Sequence, residues 1–225
     1  MIIEAKHNRI ALSVFNTYLK RLLKKNFSHF FFANLPPELP KDKSVIITPN
    51  HFSWWDGFFI HQLNKKTTKR KLYVMMLQKQ LERYWFFKHV GAYSINQEKP
   101  KSISESVNYT SKILSHPDNA LAFYPQGEIE PFDQRPMNLK KGLQLFLKNS
   151  IDKCIVLPVA FKIQHYNEKK PAMVFRSGRI ISPIEVINDF SIFENEFVGN
   201  IEALNEAAFK KNFVKDIFKG SRNDA

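Results

Sequence analysis

Apolar residues along this chain alternate between short continuous runs and longer stretches with helical spacing. The short runs predict buried strands at Val45–Thr48, Leu72–Leu77, Ala120–Tyr124, Cys154–Phe161 and Ala172–Phe175. Between them, helical periodicity fills Gln78–Lys88, Ser102–Ser115 and Asn138–Asn149. This alternation predicts one α/β domain, with a mixed, largely parallel sheet and helices on its faces. Pro171, Gly178 and Pro183 interrupt the last part, where we expect an antiparallel addition.

The N-terminal part combines a helical apolar pattern with many basic residues. The apolar positions at helical spacing are Ile10, Val14, Phe15, Tyr18, Leu19, Leu22 and Leu23. The basic residues between them are Lys20, Arg21, Lys24 and Lys25, and the aromatic triplet Phe30, Phe31 and Phe32 follows. Such a pattern predicts either an interfacial membrane helix or a surface helix with one face on the core, and both interpretations stay open. We therefore expect an amphipathic segment over residues 1–36 and the main domain over residues 37–225. A weaker pattern of the same kind covers residues 203–218.

The charge balance indicates an anionic partner. The 225 residues suit one domain with a sizeable core, and 34 Lys and Arg against 21 Asp and Glu give a net charge of +13. An acidic membrane surface or a nucleic acid would match that surplus. Cys154 is the single cysteine, so an internal disulfide is excluded. Because the sequence has neither a secretory signal nor a spanning apolar stretch, we expect a cytoplasmic protein, peripheral on the inner face of the cell membrane.

The stretch NHFSWWDGFFI carries the first candidate chemistry. It follows the strand-like run directly and places His51 and Asp56 five positions apart. In a regular helix that spacing would put the two side chains roughly 140° apart, so the pair requires His51 in a turn and Asp56 in the first helical turn. Ser53 is then a plausible N-cap. With Asp56 on one imidazole nitrogen, His51 can act as a general base. Taken alone, the pair is better explained as an ordinary turn residue and an ordinary first-turn acid.

Trp54, Trp55, Phe58 and Phe59 crowd the same stretch. They could line a groove for an apolar chain, but the helical spacing favours the buried face of the helix that carries Asp56.

Three further blocks follow in order. They are Val90-Gly91-Ala92-Tyr93-Ser94-Ile95-Asn96-Gln97, then Ala122-Phe123-Tyr124-Pro125-Gln126-Gly127-Glu128, then Ile155-Val156-Leu157-Pro158-Val159-Ala160-Phe161 after Leu139-Lys140-Lys141-Gly142. Together with the His51 block they resemble the glycerolipid acyltransferase family typified by lysophosphatidic-acid acyltransferases, which has an NHx4D block, a Gly-x-Ile-Asp-Arg-like block, a Phe-Pro-Glu-Gly-Thr-Arg block and a Val-Pro-Val block. The match runs from about residue 45 to residue 161.

The resemblance implies acyl transfer from acyl-CoA or acyl carrier protein to a hydroxyl of a lysolipid-like acceptor. His51 would take the proton of that hydroxyl, and Asp56 would fix the imidazole tautomer and stabilise the imidazolium. The turn around Gly127 is a candidate for oxyanion contacts. No cofactor is implied beyond the thioester co-substrate, and we expect no metal, because no cluster in the sequence has metal-ligand spacing.

The departures from the family pattern point away from a phosphate. Asn96-Gln97 stands in place of Asp-Arg, and Gln126, Glu128 and Ile129 replace the usual Glu, Thr and Arg. The family uses those arginines on the acceptor's phosphate, and neither Gln97 nor Ile129 offers a charged fork. We therefore predict an acceptor without a phosphate monoester, such as an aminolipid, a glycolipid or a glycosylated polyisoprenoid. The predicted acceptor-binding residues are Gln97, Gln126, Gly127 and Glu128.

One alternative is an authentic lysophosphatidic-acid acyltransferase in which a neighbouring cation supplies the missing charge. The cations available for this are Lys99, Lys101, Arg135, Lys140 and Lys141.

Basic residues near these blocks are candidates for the donor. Residues 65–71 form the densest basic run, and it could receive the phosphates of CoA, an acidic carrier protein or lipid headgroups. The donor-binding residues predicted on this ground are Lys65, Lys66, Lys140 and Lys141. Two other classes share the charge and the aromatics: a nucleic-acid-binding protein and a non-catalytic lipid-binding protein. No helix-turn-helix, zinc-finger or RRM signature occurs in the sequence, so we expect no nucleic acid partner.

Overall fold

The computed structural model describes residues 1–219 and contains one eight-stranded sheet. Its strands are β1 (Phe30–Phe32), β2 (Ser44–Pro49), β3 (Lys71–Leu77), β4 (Ala92–Ile95), β5 (Asn119–Ala122), β6 (Cys154–Gln164), β7 (Ala172–Ser177) and β8 (Lys215–Asp216). They lie in the order β4-β3-β5-β2-β6-β7-β1-β8. The first five in that order are mutually parallel, whereas β7 is antiparallel to β6. Both the largely parallel sheet and the late antiparallel addition are therefore confirmed.

Helices cover both faces of the sheet. They are α1 (Arg9–Asn26), α2 (Asp56–Lys66), α3 (Gln78–Arg83), a 3-10 helix (Trp85–Val90), α4 (Pro100–Leu114), α5 (Gly142–Leu147), α6 (Pro183–Asn188) and α7 (Phe190–Lys210). On one face, Phe15 of α1 and Phe59 of α2 pack with Ile47 of β2. On the other face, Leu143 of α5 and Phe193 of α7 pack with Ile46 of β2. Because side chains alternate along a strand, each buried strand serves both layers.

Two predicted segments differ from the structure. The amphipathic segment 1–36 is helical only over Arg9–Asn26, and the aromatic triplet Phe30–Phe32 is not a helix end but strand β1, buried between β7 and β8. The predicted helix Gln78–Lys88 breaks at Tyr84 into α3 and the 3-10 helix.

α1 is amphipathic in an unusual way. Asn8 caps its start by accepting hydrogen bonds from the first amides, and Phe15 and Leu19 bury one face. A second apolar stripe remains outside: Ile10, Val14 and Tyr18 are 76%, 60% and 53% exposed. The helix therefore packs on the core and still presents apolar side chains to its surroundings. Of the helices within residues 1–219, none has both the length and the hydropathy needed to cross a bilayer.

The residues before α1 run along the outer side of β4 and the 3-10 helix. The amide of Ile3 donates to Ser94 Oγ at 2.7 Å, and its carbonyl accepts from the Ser94 amide at 2.9 Å. The amide of Lys6 donates to the Lys88 carbonyl at 2.8 Å. This segment therefore occupies the edge of the sheet at β4.

Candidate active site

The turn after β2 is fixed by contacts to two neighbouring segments. The side-chain amide of Asn50 donates to the carbonyl of Phe161 at 3.0 Å, and its oxygen accepts from the amide of the same residue at 2.8 Å. The next residue, His51, donates its amide to Gln126 Oε1 at 2.6 Å and accepts at its carbonyl from the Glu130 amide at 3.0 Å. The turn is thus held through Asn50 from β6 and through the backbone of His51 from the segment after β5.

His51 and Asp56 form the predicted pair. His51 Nδ1 lies 2.8 Å from Asp56 Oδ2, and the same oxygen accepts the amides of Phe52 at 2.8 Å and Ser53 at 3.0 Å. Asp56 is the first residue of α2, where the helix dipole favours a carboxylate. The expected N-cap at Ser53 is wrong: Trp55 precedes the helix, and the Ser53 hydroxyl accepts from the Trp55 amide instead.

Burial and hydrogen bonding act in opposite directions on Asp56. Burial raises the pKa of this carboxyl, while the hydrogen bonds from His51 and from the turn amides lower it. Because the carboxylate accepts from Nδ1, the imidazole proton sits on Nδ1 and the lone pair on Nε2. The side chain of His51 is 23% exposed and that of Asp56 is fully buried. The pair therefore presents one basic nitrogen to the surroundings and hides the charge that orients it.

Tyr124 is a member of the site for which sequence analysis predicted no role. Its ring packs on the imidazole of His51 with centroids 4.4 Å apart. Burial, followed by the charge of Asp56, raises the pKa of the Tyr124 phenol well above its usual value. Within residues 1–219, neither the Tyr124 hydroxyl nor Asp56 Oδ1 has a hydrogen-bond partner. One sequence signal could have indicated this role. Tyr124 is an aromatic residue two positions after β5, the strand that pairs with β2.

The third sequence block divides into a buried and an exposed part. Gln126 is 1% exposed, and besides its contact to His51 its side-chain amide donates to Glu130 Oε2 at 2.8 Å. This placement gives Gln126 a supporting contact beneath the histidine, and its predicted contact with the acceptor remains untested. Gly127 has φ +77°, the conformation for which glycine is suited, and its amide donates to the Tyr124 carbonyl at 3.1 Å. That amide is therefore engaged within the turn rather than turned toward an oxyanion.

Glu128 and Lys140 form the exposed part of the turn. Lys140 Nζ lies 3.4 Å from Glu128 Oε1, and a Cβ on Gly127 would come within 3.2 Å of the same lysine. The amide of Lys140 donates to the carbonyl of Pro125 at 2.9 Å, which holds this lysine beside the turn. Lys141 follows as the residue that precedes α5 and is exposed. Of the predicted donor-binding lysines, Lys140 is thus the one drawn against the third block.

The remaining predicted residues lie at different edges. Gln97 is exposed and follows β4, so it shares the carboxyl edge with His51. Three strand intervals separate β4 from β2, about 14 Å at ordinary strand spacing. Lys65 and Lys66 end α2, and this 11-residue helix begins at Asp56, so they lie about 15 Å from the pair, at the far end of the helix. The structure therefore separates these two lysines from the site.

The doubly covered α/β sheet carries a histidine paired with a buried carboxylate at the carboxyl ends of its strands, and such a pair can act as a general base. The chain belongs to the Acyltransferase family, whose model matches residues 33–162, and it is an acyltransferase. The 1-acyl-sn-glycerophosphate (LPA) acyltransferase PlsC from Thermotoga maritima has a similar structure, with a TM-score of 0.64 over 91% of this chain and 81% of that chain. At 14% identity this likeness shows the shared fold. Comparison with curated protein sequences gives no match.

Proposed function

We propose that this protein transfers a fatty acyl group from acyl-CoA or acyl carrier protein to a hydroxyl of a lipid-like acceptor, with His51 as general base. The observation that carries the proposal is the 2.8 Å contact between His51 Nδ1 and Asp56 Oδ2, which leaves Nε2 as the basic nitrogen. Asp56 orients the imidazole and balances its positive charge during the reaction.

The chemical step needs these two side chains and no acyl-enzyme. The acceptor oxygen bonds to the thioester carbonyl carbon while its proton moves to His51 Nε2. The tetrahedral intermediate then breaks its carbon–sulfur bond, and the departing thiolate takes the proton back from Nε2. The imidazolium exists only between these transfers, and the buried carboxylate of Asp56 stabilises it during that interval.

The charges around the pair support an acceptor without a phosphate monoester. Gln97 is neutral and exposed, and Ile129 is 52% exposed where the family pattern has an arginine. Glu128 adds a negative charge, and Lys140 pairs with it at 3.4 Å. A dianionic phosphate would have to break that pair before it could use the lysine. An aminolipid, a glycolipid or a glycosylated polyisoprenoid does not need that lysine, although the exposed pair costs only about 1 kcal/mol or less to break.

Exposed aromatics support binding to an anionic membrane surface. Trp54, before α2, and Trp85, in the 3-10 helix, are 63% and 60% exposed. Phe15 of α1 contacts Phe58 of α2 and Phe86 of the 3-10 helix, so these three helices lie together. The apolar stripe of α1 lies on the same side of the sheet, and basic residues accompany it. Aromatic and basic side chains together are typical of proteins that lie in a membrane interface. We place the protein, as part of this proposal, on the inner face of the cell membrane.

An assay with the purified protein tests the proposal. Labelled acyl-CoA and labelled acyl carrier protein are offered with lysophosphatidic acid, lyso-aminolipids and glycolipids, alongside the variants His51→Ala and Asp56→Asn. We expect transfer to a phosphate-free acceptor, its loss in His51→Ala and a strong reduction in Asp56→Asn, while the exposed control His116→Ala keeps the wild-type rate. Wild-type rates in His51→Ala would refute the mechanism, and transfer to lysophosphatidic acid alone would refute the acceptor.

A further inference from the structure

One cavity of the described chain lies away from His51. It has a volume of about 980 Å³ and lies on the α1–α2 face of the sheet, beside the C-terminal end of α2. Its floor is apolar and comes from β1, β2, β6 and β7 together with α2, through the side chains of Phe32, Ile47, Leu157, Phe175 and Leu63. All five are buried core residues, so the floor is a fixed part of the fold. The volume is in the range of pockets that hold small apolar ligands.

The rim of this cavity is strongly basic. The cations that line it are Lys41, Lys66, Lys69, Arg70, Lys71 and Lys215, and the acids that line it are Glu38 and Asp118. Over residues 1–219, none of the five lysines has a carboxylate within ion-pair distance. Unpaired cations around one mouth raise the local concentration of anions. The densest basic run of the sequence therefore surrounds this cavity and not the catalytic pair.

The walls are held in place by specific contacts. The guanidinium of Arg70 donates to the carbonyls of Lys43 and Pro40, each at 2.6 Å, and so joins the loop after α2 to the loop before β2. Asn64 donates to the carbonyl of Arg70 at 2.9 Å and accepts the amide of Lys69 at its own carbonyl at 2.7 Å. Lys69 has φ +55°, a left-handed conformation that costs free energy for a residue with a side chain. Backbone strain of this kind persists where surrounding contacts enforce it.

We propose that this cavity binds a single-chain amphiphile with an anionic head, the chain on the apolar floor and the head against the lysines of the rim. A neutral chain would leave the cations unused, and a small anion would leave the apolar part of the lining, which includes Leu35 at 62% exposed, without a partner, so the two features together select an amphiphile. The head is a carboxylate or a phosphate, because both accept from several ammonium groups at once. The site is separate from the reaction: α2 runs from Asp56 to Lys66 and sets it about 15 Å from the pair.

Binding is measured on full-length His51→Ala protein, so that turnover cannot consume the probes. The probes are laurate, dodecyl phosphate, dodecanol and inorganic phosphate, each below the concentration at which it forms micelles, in a calorimetric titration. We expect laurate and dodecyl phosphate to bind, dodecanol to bind about tenfold more weakly and inorganic phosphate not to bind. The comparison of laurate with dodecyl phosphate shows which head is preferred. Equal affinity for dodecanol and laurate would overturn the proposal, and so would binding of inorganic phosphate alone.

Charge reversal on the rim gives the second test. In Lys41→Glu with Lys215→Glu we expect laurate to bind about tenfold more weakly. The matched control, Lys112→Glu with Lys148→Glu, makes the same change in net charge at exposed lysines that do not line the cavity and should bind as before. Equal weakening in both double variants would show a general charge effect and contradict the site.

A photoreactive fatty acid locates the chain independently of charge. We expect its label on the segments 35–41, 63–71 or 215–217. Label on Phe52 or Trp55 would place the chain at the catalytic pair and overturn the proposal. Binding is measured on a protein without the general base, so binding can fail while acyl transfer by the wild type succeeds. Acyl transfer by the wild type can likewise fail while binding succeeds.

Discussion

The phenol of Tyr124 lies against the imidazole of His51, with ring centroids 4.4 Å apart and the planes tilted by 35°. Its hydroxyl is buried, and in the described chain both this hydroxyl and the second carboxylate oxygen of Asp56 lack hydrogen-bond partners. One group is a donor and the other an acceptor, and the charge of Asp56 acts on the Tyr124 phenol. Buried polar groups are normally hydrogen-bonded, and the Asp56 charge raises the pKa of the Tyr124 phenol, so we expect this hydroxyl to support the carboxylate.

Tyr124→Phe should therefore change the pH dependence of catalysis. Without the hydroxyl, the charged form of Asp56 loses support, and its pKa, already raised by burial, rises further. We expect the acid limb of the kcat profile to move up by roughly half a unit to one unit, with KM little changed. The matched control is Tyr93→Phe, whose phenol bonds Thr110 Oγ1 at 2.6 Å in the other core layer. Tyr93→Phe should lower stability and leave the pH profile of kcat unchanged. An unchanged profile in Tyr124→Phe would contradict the support that its hydroxyl gives to Asp56.

Gln126→Glu should introduce a pH-dependent loss of stability. The new carboxylate would face Glu130 across the present 2.8 Å contact, and two buried carboxylates that close share a proton with a raised pKa. A carboxyl with a raised folded-state pKa stabilises the fold below its unfolded pKa and loses this contribution as pH rises. We expect a loss of about 1–3 kcal/mol in urea unfolding at pH 8 and less at pH 5.

The double variant Gln126→Glu with Glu130→Gln is the control for that change. It restores one amide donor facing one carboxylate and keeps an acceptor for the His51 amide, so stability at pH 8 should recover. No recovery would mean that the loss does not come from the pair of carboxylates.

Gln97→Arg with Ile129→Arg should increase transfer to lysophosphatidic acid. Both positions are exposed, so the change leaves the core intact, and each arginine adds a bidentate donor for phosphate. We expect kcat/KM for lysophosphatidic acid to rise about tenfold relative to a glycolipid. Ile184→Arg with Val214→Arg adds the same charge at exposed positions elsewhere and should have no such effect. An equal response in both variants would contradict the acceptor argument.

His61 should make the fold less stable in acid. It is buried on α2, its Nε2 lies 3.1 Å from Asn16 Oδ1 on α1, and burial lowers its pKa to about 4. In the unfolded chain this histidine binds a proton near pH 6.5, whereas in the folded chain it binds one only near pH 4. The stability that is present above pH 6.5 is therefore lost as the pH falls toward 4. The loss is about 3 kcal/mol. We would measure the free energy of unfolding by chemical denaturation between pH 4.5 and 7. Its dependence on pH should be weaker in His61→Gln than in the exposed control His116→Gln. Equal dependence in the two variants would contradict the assignment of the acid loss to His61.

Val14→Glu with Tyr18→Glu should reduce binding to vesicles that contain acidic lipid. Both side chains are exposed on α1, so the change removes apolar contact with the membrane and leaves the core intact. Sedimentation with vesicles should fall about tenfold, whereas Leu35→Glu, at a position 62% exposed, should have a smaller effect. Unchanged sedimentation of the α1 variant would mean that this helix does not face the membrane.

The catalytic pair was predictable because its geometry is local. Four residues separate His51 from Asp56, and a strand end followed by a helix start fixes how they meet. The contact of Gln126 with Glu130 and the packing of Tyr124 on His51 were not predictable, because the first depends on the path of an irregular loop and the second on side-chain directions beyond two neighbouring strands. The five predicted strands followed from periodicity in the same way, with small differences at their ends, whereas the helix predicted over Gln78–Lys88 breaks at Tyr84.

One wrong expectation has a simple physical reason. The aromatic triplet Phe30–Phe32 pairs with Met173–Phe175, far away in sequence, and three consecutive apolar residues carry no period that distinguishes a helix end from a strand. Lys65 and Lys66 were assigned to the donor because they belong to the densest basic run; the length of α2 carries them to the end opposite Asp56, and their contact with the donor stays a prediction. Helix length alone, at 1.5 Å per residue, would have shown this separation.

The hydrogen bonds between Ile3 and Ser94 have a practical consequence for handling the protein. A strand at the edge of a sheet is a template for pairing with another molecule unless something covers it. Here β4 is such a strand, and the residues ahead of α1 cover its outer side. A shortened form that starts at Asn8 would therefore expose that side and be prone to self-association, even though every catalytic and cavity residue would be retained.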